Sequence, residues 1–376
     1  MDSRKEALSA DRRRILALDG GGVRGVFSIE ILARMESLLR DRLGKPRLVL
    51  ADHFHFIAGT STGAIIATLL SWGEPMDKIR ELYHDRCEDI FPKMVPWKVW
   101  QWQRFTRALY SSESLSVFLR NFFFDENTGQ TAELGTKKLK NTLLLCMRNA
   151  TTGSAWPVTN NTKAKYNREH HPECNLKIPL WQLVRASTAA PVYFLPEEIK
   201  VGENAFAFID GGITPYNNPA LIAFLMATLP CYQMEWPSGK GSLLLVSIGT
   251  GRIRSVLKNA SLRSLNIGTS LMNVPAGLME NVSLQQDFLC RIIGDCIFGD
   301  EIDSEIGDLI RGEDVRTEED GKFSYVRYDH RFTNDEVVQA KKAYGSFTLN
   351  NTRMRPFLAE IGREYAEKNV RIEHLL

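Results

Sequence analysis

The sequence predicts an α/β fold: a mainly parallel sheet covered on both faces, followed by a mostly helical C-terminal region. Two observations carry this. Near the start, a short apolar run gives way to a glycine turn and then to a helical pattern. The same succession returns directly afterwards.

Ile15 to Leu18 is a continuous apolar run that fits a buried strand, and it ends in Asp19-Gly20-Gly21-Gly22-Val23-Arg24-Gly25. From Val26 to Leu43 the apolar residues Ile29, Leu32, Met35, Leu39 and Leu43 recur every three or four positions. That is a helical period, stopped by Gly44 and Pro46. His53 to Ala58 reads as the second strand, with His53 and His55 on one face and Phe54 and Phe56 on the other. Gly59 to Gly63 reads as a tight turn, and Ala64 to Trp72 as an apolar helix ended by Gly73 and Pro75. Later strands are expected at Thr142 to Met147, Ala205 to Ile209 and Ser242 to Ile248, and helices at Pro179 to Ala186 and Pro219 to Leu229. The remainder reads as helical, with a charged turn region around Asp308 to Lys322. No repeat, low-complexity block or flexible linker interrupts the chain. The expected organisation is a charged tail over 1–13, a core over 14–252, and a C-terminal extension over 253–376 packed on that core.

With 376 residues, 44% of them hydrophobic and 24% charged, the chain has the composition of a globular protein with a substantial core. A net charge of +2 argues against a nucleic-acid polymer as partner. Met1 to Arg14 has no apolar core and does not read as a secretory leader. The longest apolar stretch, Leu221 to Leu229, is about half of the ~18 residues a membrane span needs. The six cysteines are scattered without a CxxC pair, which argues against zinc or a disulfide framework and suits a reducing compartment. The expected location is cytoplasmic, with peripheral membrane contact.

Chemistry concentrates at three places. In Gly59-Thr60-Ser61-Thr62-Gly63, a serine between a strand and a helix is held on a sharp turn, with Gly59 and Gly63 relieving the crowding. Its hydroxyl would stand at a helix N-terminus, where partial positive charge favours a developing anion. A plain Gly/Ser turn is the bland alternative; the flanking apolar strand and helix favour a nucleophile elbow. The second place is the glycine turn after the first strand. Consecutive glycines let backbone N–H groups converge on an oxyanion, with Gly20, Gly21 and Gly22 as the candidates and Arg24 as support. Gly20, Gly22 and Gly25 also satisfy a GxGxxG dinucleotide pattern. A dinucleotide fold wants an acidic residue ending the second strand, where this chain has Gly59-Thr60-Ser61; beside the elbow, the turn favours an oxyanion hole. The third place is Asp210-Gly211-Gly212, at the end of an apolar strand, where open α/β sheets place their sites. Asp-Gly is also an everyday turn. Of the histidines, only His330 and His374 come late enough for a triad, and both sit among charged residues with no strand-end context.

Together these residues resemble the patatin-like phospholipase family. Asp19 to Gly25 matches its D-G-G-G-x-R-G motif, Gly59 to Gly63 its G-x-S-x-G elbow, and Asp210 to Gly212 its D-G-G motif. Ala186 to Pro191, Asn217 to Pro219 and Ser247 to Gly251 are similar to the family's flanking stretches, so the resemblance covers about Arg14 to Arg252. It implies a three-layer α/β/α fold and a serine lipid acyl hydrolase. Ser61 would be the nucleophile, Asp210 the base, and Gly20 to Gly22 the oxyanion hole. No metal, cofactor or histidine is implied. His55 stands where family members often carry an aspartate. A thioesterase or general esterase on the same dyad, and a non-catalytic scaffold of the same fold, are the alternatives.

Trp97, Trp100 and Trp102, with Lys93, Lys98, Arg104 and Arg107 among them and Phe122 to Phe124 beyond, are candidates for contact with membrane phospholipids. The competing reading is that they line the acyl pocket or fill the core. One bacterial branch of the family resembles this chain in size and in carrying an extra C-terminal region. Its members are antiphage effectors, which implies a cyclic oligonucleotide activator. Homo-oligomerisation is left open.

Overall fold

The computed structural model describes residues 12–91, 113–126, 128–168, 170–191, 193–253, 267–303, 305–309 and 321–376. Trp97, Trp100, Trp102 and the four basic residues among them lie outside the described residues, as does most of the charged stretch from Asp308 to Lys322.

In chain order, β1 (Arg13–Leu18) leads to α1 (Gly25–Leu43), β2 (Phe56–Thr60), α2 (Thr62–Trp72) and α3 (Met76–Asp85). Next come α4 (Glu113–Phe122), β3 (Thr142–Asn149), β4 (Ala155–Thr159) and α5 (Leu180–Ser187). The antiparallel pair β5 (Glu197–Val201) and β6 (Asn204–Asp210) precedes α6 (Ala220–Thr228) and β7 (Leu243–Ile248). The C-terminal region holds α7 (Ile267–Ile293), β8 (Asp295–Phe298), β9 (Ser324–Tyr328), α8 (Asn334–Tyr344) and α9 (Arg355–Asn369).

Nine strands form one sheet in the order β8-β9-β7-β1-β2-β3-β6-β5, with β4 also on β3. Every pairing from β8 to β3 is parallel, whereas β4, β5 and β6 run antiparallel to their neighbours. Alternation along β1 explains its unbroken apolar run. Leu16 and Leu18 enter the core layer holding Phe27, Leu32 and Ile66, and Ile15 and Ala17 enter the opposite layer with Ala223 and Phe224. Helices on both faces make three layers, and each fully buried Leu or Phe contributes about 1.5–3 kcal/mol. Gly44 ends α1 with φ of 60° and Gly73 ends α2 with φ of 96°, a left-handed backbone that favours glycine.

One arrangement places the site. β2 runs parallel along one edge of β3, and its last residue, Thr60, lies opposite Cys146. The other edge over Leu144 to Arg148 is taken by β4, so β6 must share the edge used by β2. Running the opposite way, β6 ends with Asp210 opposite Met147. The two strands therefore meet end to end, and the residues leaving them converge.

The second strand starts at Phe56 rather than His53. Leu50–His53 is a helical turn, held because Asp52 accepts the Val49 N–H at 3.0 Å and Glu36 accepts the Leu50 N–H at 3.3 Å. The C-terminal region is mostly helical among the described residues, and it also supplies β8 and β9, which extend the sheet beyond β7. Arg327, the next-to-last residue of β9, disguises that strand in the sequence although the residue is fully buried.

Candidate active site

Ser61 is the single residue between β2 and α2, with φ 54° and ψ −123°. This is a sparsely populated conformation for a residue with a Cβ and costs about 1–3 kcal/mol. The surroundings hold it there. Its N–H donates to Ser187 Oγ at 2.9 Å, and Ser187 Oγ donates to the Cys146 carbonyl at 2.6 Å. Both flanking glycines are required by close approach. A Cβ on Gly59 would overlap the Gly63 carbonyl, and one on Gly63 would overlap the carbonyls of Leu18 and Asp19.

Asp210 is buried, and its Oδ2 accepts the Ser61 hydroxyl at 2.7 Å. Oδ1 accepts the Gly212 N–H at 2.7 Å, and the Asp210 N–H donates to the Ala189 carbonyl at 3.0 Å. Burial pushes the carboxyl up to about 6, opposed by the bonds from Ser61 and Gly212 and by the charge of Arg185. A carboxylate so raised is a stronger base than an exposed one.

The glycine loop lies across the serine. Gly20 donates its N–H to the Asn217 carbonyl at 3.1 Å, so that amide is already committed, and a Cβ there would crowd both Asn217 Oδ1 and Ser61 Cβ. Gly21 packs against Thr250, and Gly22, with φ of 58°, packs against the Leu349 carbonyl. Among the described residues the N–H groups of Gly21 and Gly22 have no hydrogen-bond partner. Arg24 is half-buried, does not line the cavity at Ser61, and feels the charges of Glu280, Asp329 and Asp19.

Ser61 and Asp210 form the polar end of a cavity of about 90 Å³ whose apolar wall includes Ile65, Leu115, Phe194, Ile213, Met279 and Leu349. Such a space can accept a hydrocarbon chain, and its apolar wall lowers the polarity around the carboxylate.

Four of the seven histidines, those on or beside the sheet strands and near the C-terminus, are engaged elsewhere. His53 Nε2 meets the Leu375 carbonyl at 2.9 Å, and His55 Nδ1 accepts the Arg14 N–H at 3.2 Å. His374 Nδ1 meets Tyr328 Oη at 2.7 Å. His330 does follow a strand, coming two residues after β9, but its ring packs on Phe27, Phe332 and Tyr365 and pairs with Glu336 at 3.2 Å. None of the four lines the cavity.

Sequence reasoning assigned no role to Ser187, Asn217, Thr250 or Leu349. The first three lie in the stretches Ala186 to Pro191, Asn217 to Pro219 and Ser247 to Gly251, which carried the signal. Leu349 carried none.

The model of the patatin-like phospholipase family matches residues 16–224, more than half of the chain, and the chain belongs to this family. An intracellular phospholipase A2 of Caenorhabditis elegans is 31% identical over 251 residues, covering 65% of this chain and 20% of that protein. A cGAMP-activated phospholipase of Vibrio cholerae is 29% identical over 243 residues, covering 63% of this chain and 64% of its own length. Another, from Escherichia coli, is 31% identical over 250 residues, covering 65% and 64%. The chain thus spans a fifth of the nematode protein and just under two thirds of each bacterial one.

Proposed function

We propose that this chain is a serine lipid acyl hydrolase that cleaves phospholipid acyl esters through a Ser61–Asp210 dyad. The observation that carries the reading is the 2.7 Å hydrogen bond from Ser61 Oγ to a buried carboxylate at the head of an apolar cavity. As Ser61 Oγ attacks the ester carbonyl carbon, its proton passes to Asp210 Oδ2. The carbonyl oxygen becomes an oxyanion, for which the unpaired N–H groups of Gly21 and Gly22 are the available donors. Collapse breaks the bond to the alkoxide of the lipid, which takes the proton from Asp210 and leaves as the alcohol. Water then attacks the acyl-enzyme, gives its proton to Asp210, and releases the fatty acid. Ser61 recovers its proton from Asp210 in that last collapse.

Exposed Leu195 and Leu278 adjoin Phe194 and Met279 of the cavity wall, which supports an approach to the membrane surface. No helix among the described residues is long and apolar enough to cross a membrane. The relatives named as cGAMP-activated support a cyclic oligonucleotide as the activator; the role in antiphage defence rests on the resemblance to the bacterial branch alone. The test is fatty-acid release from phospholipid vesicles by wild type, Ser61→Ala and Asp210→Ala, each with and without cyclic oligonucleotides. Release that both substitutions abolish is expected. An active Asp210→Ala beside a dead Ser61→Ala would place the base elsewhere. A wild type that cleaves thioesters or soluble esters but never phospholipids would favour the esterase alternative.

A further inference from the structure

Beneath the glycine loop lies a buried charged cluster whose two cations, Arg327 and Arg252, come from outside residues 16–224. Asp19, which opens the loop, is 4% exposed and Arg327 is 1% exposed. The arginine grips both carboxylate oxygens, Nη1 to Oδ1 at 2.8 Å and Nη2 to Oδ2 at 2.6 Å. Nη1 also donates to Ser247 Oγ at 2.7 Å and Nη2 to Asp329 Oδ2 at 2.9 Å. Asp329 is itself fixed, with Arg252 Nε 2.9 Å from Oδ2 and the Gly251 N–H donating to Oδ1 at 3.0 Å.

Arg327 sits opposite Ser247 in a strand whose neighbours Tyr325, Val326 and Tyr328 are buried in the core. Holding a sheet together does not call for a guanidinium there, because an apolar residue of similar volume serves as well and avoids desolvating charge. What the guanidinium adds is geometry. A two-pronged contact fixes both the position and the plane of the Asp19 carboxylate, and with it the backbone that leads into Gly20. At the far end of the glycines, the Val23 N–H donates to the Leu349 carbonyl at 2.8 Å. The segment between is therefore pinned at both ends by residues of the C-terminal region.

We infer that Arg327 is a positioning residue for the oxyanion hole, its fork on Asp19 setting where the Gly21 and Gly22 N–H groups point. This rests on the acyl-hydrolase reading of Ser61 and Asp210. Arg327 does not line the cavity, so it acts on the transition state and leaves ground-state binding alone.

The test uses the full chain with p-nitrophenyl butyrate as a soluble ester and an alkyl trifluoromethyl ketone, which forms an anionic tetrahedral adduct on an active serine. Wild type, Ser61→Ala, Arg327→Lys, Arg327→Gln and the double variant Asp19→Asn with Arg327→Gln are compared, each with its thermal unfolding midpoint. For Arg327→Lys and the double variant, kcat should fall by about 10- to 100-fold with KM within about twofold of wild type. Ketone affinity should fall by the same factor as kcat. Arg327→Gln strands a buried carboxylate and can fail to fold; Arg327→Lys keeps the charge and the double variant removes both charges, so they carry the test. A folded variant with wild-type kcat and ketone affinity overturns the inference. So does a loss of kcat without a matching loss of ketone affinity. A wild type with no Ser61-dependent turnover and no ketone binding would instead remove the acyl-hydrolase reading, and this assignment with it.

Discussion

Replacing Asp210 with Asn should cost activity and raise stability, and pH should separate the two effects. The side chains have the same shape, and Asn can still accept the Gly212 N–H that Asp210 Oδ1 accepts at 2.7 Å. It cannot take the Ser61 proton, so kcat should fall by about 10³- to 10⁴-fold. Stability moves the other way, because the native state holds the carboxylate in a buried place. A displacement from 3.8 to about 6, at ~1.4 kcal/mol per pH unit, is worth at most about 3 kcal/mol. The sign follows from the raised native value. The contribution of this group to stability is fully present below about 3.8 and is lost as pH rises through about 6. Asn escapes that loss. Thermal unfolding of both proteins between pH 4 and 8 should show Asp210→Asn ahead by several degrees at pH 7.5, with the gap closing on acidification. Equal midpoints at pH 7.5, or a gap that does not depend on pH, would refute the claim that Asp210 is a strained buried base.

Other consequences can be checked separately. Since Asp210 must be ionised to accept a proton, kcat/KM for a soluble ester should rise through about pH 6 and level off above it; a midpoint near 4 would show that the carboxylate is solvated. Ser187→Ala leaves the Ser61 N–H and the Cys146 carbonyl without their partner and should cost about 2 kcal/mol in urea unfolding, with a fall in kcat as the elbow loosens. Gly63→Ala pushes a methyl into the carbonyls of Leu18 and Asp19 in a rigid sheet, so loss of soluble expression, or of more than about 3 kcal/mol in thermal unfolding, is expected.

Much of the site could be read locally. The apolar run of β1, the period of α1 and the glycines around Ser61 are signals carried by neighbouring residues, and the observed elements begin and end within a few residues of them. His53 misled because alternation with Phe54 imitates a strand, whereas the Asp52 and Glu36 side chains cap a helical turn there. β9 was hidden because a charge in a short apolar run reads as surface, and only burial beside Asp19 makes Arg327 a core residue. Ser187 and Asn217 were visible as parts of recognisable stretches, but their partners were not.

By itself, the sequence determined a strand–turn–helix architecture with a serine at the head of α2 and an aspartate at the end of β6. These follow from side-chain period and from glycine's lack of a Cβ, both of which act over a few residues. The tertiary structure decided that those two side chains meet. Ser61 and Asp210 are 149 positions apart, and they touch because β2 and β6 end head to head on one edge of β3. It also decided that Arg327 and Leu349 secure the glycine loop and that Gly20 gives its amide to Asn217. Edge sharing is a property of strands that lie far apart in the chain, and no local pattern records which strand will be the neighbour.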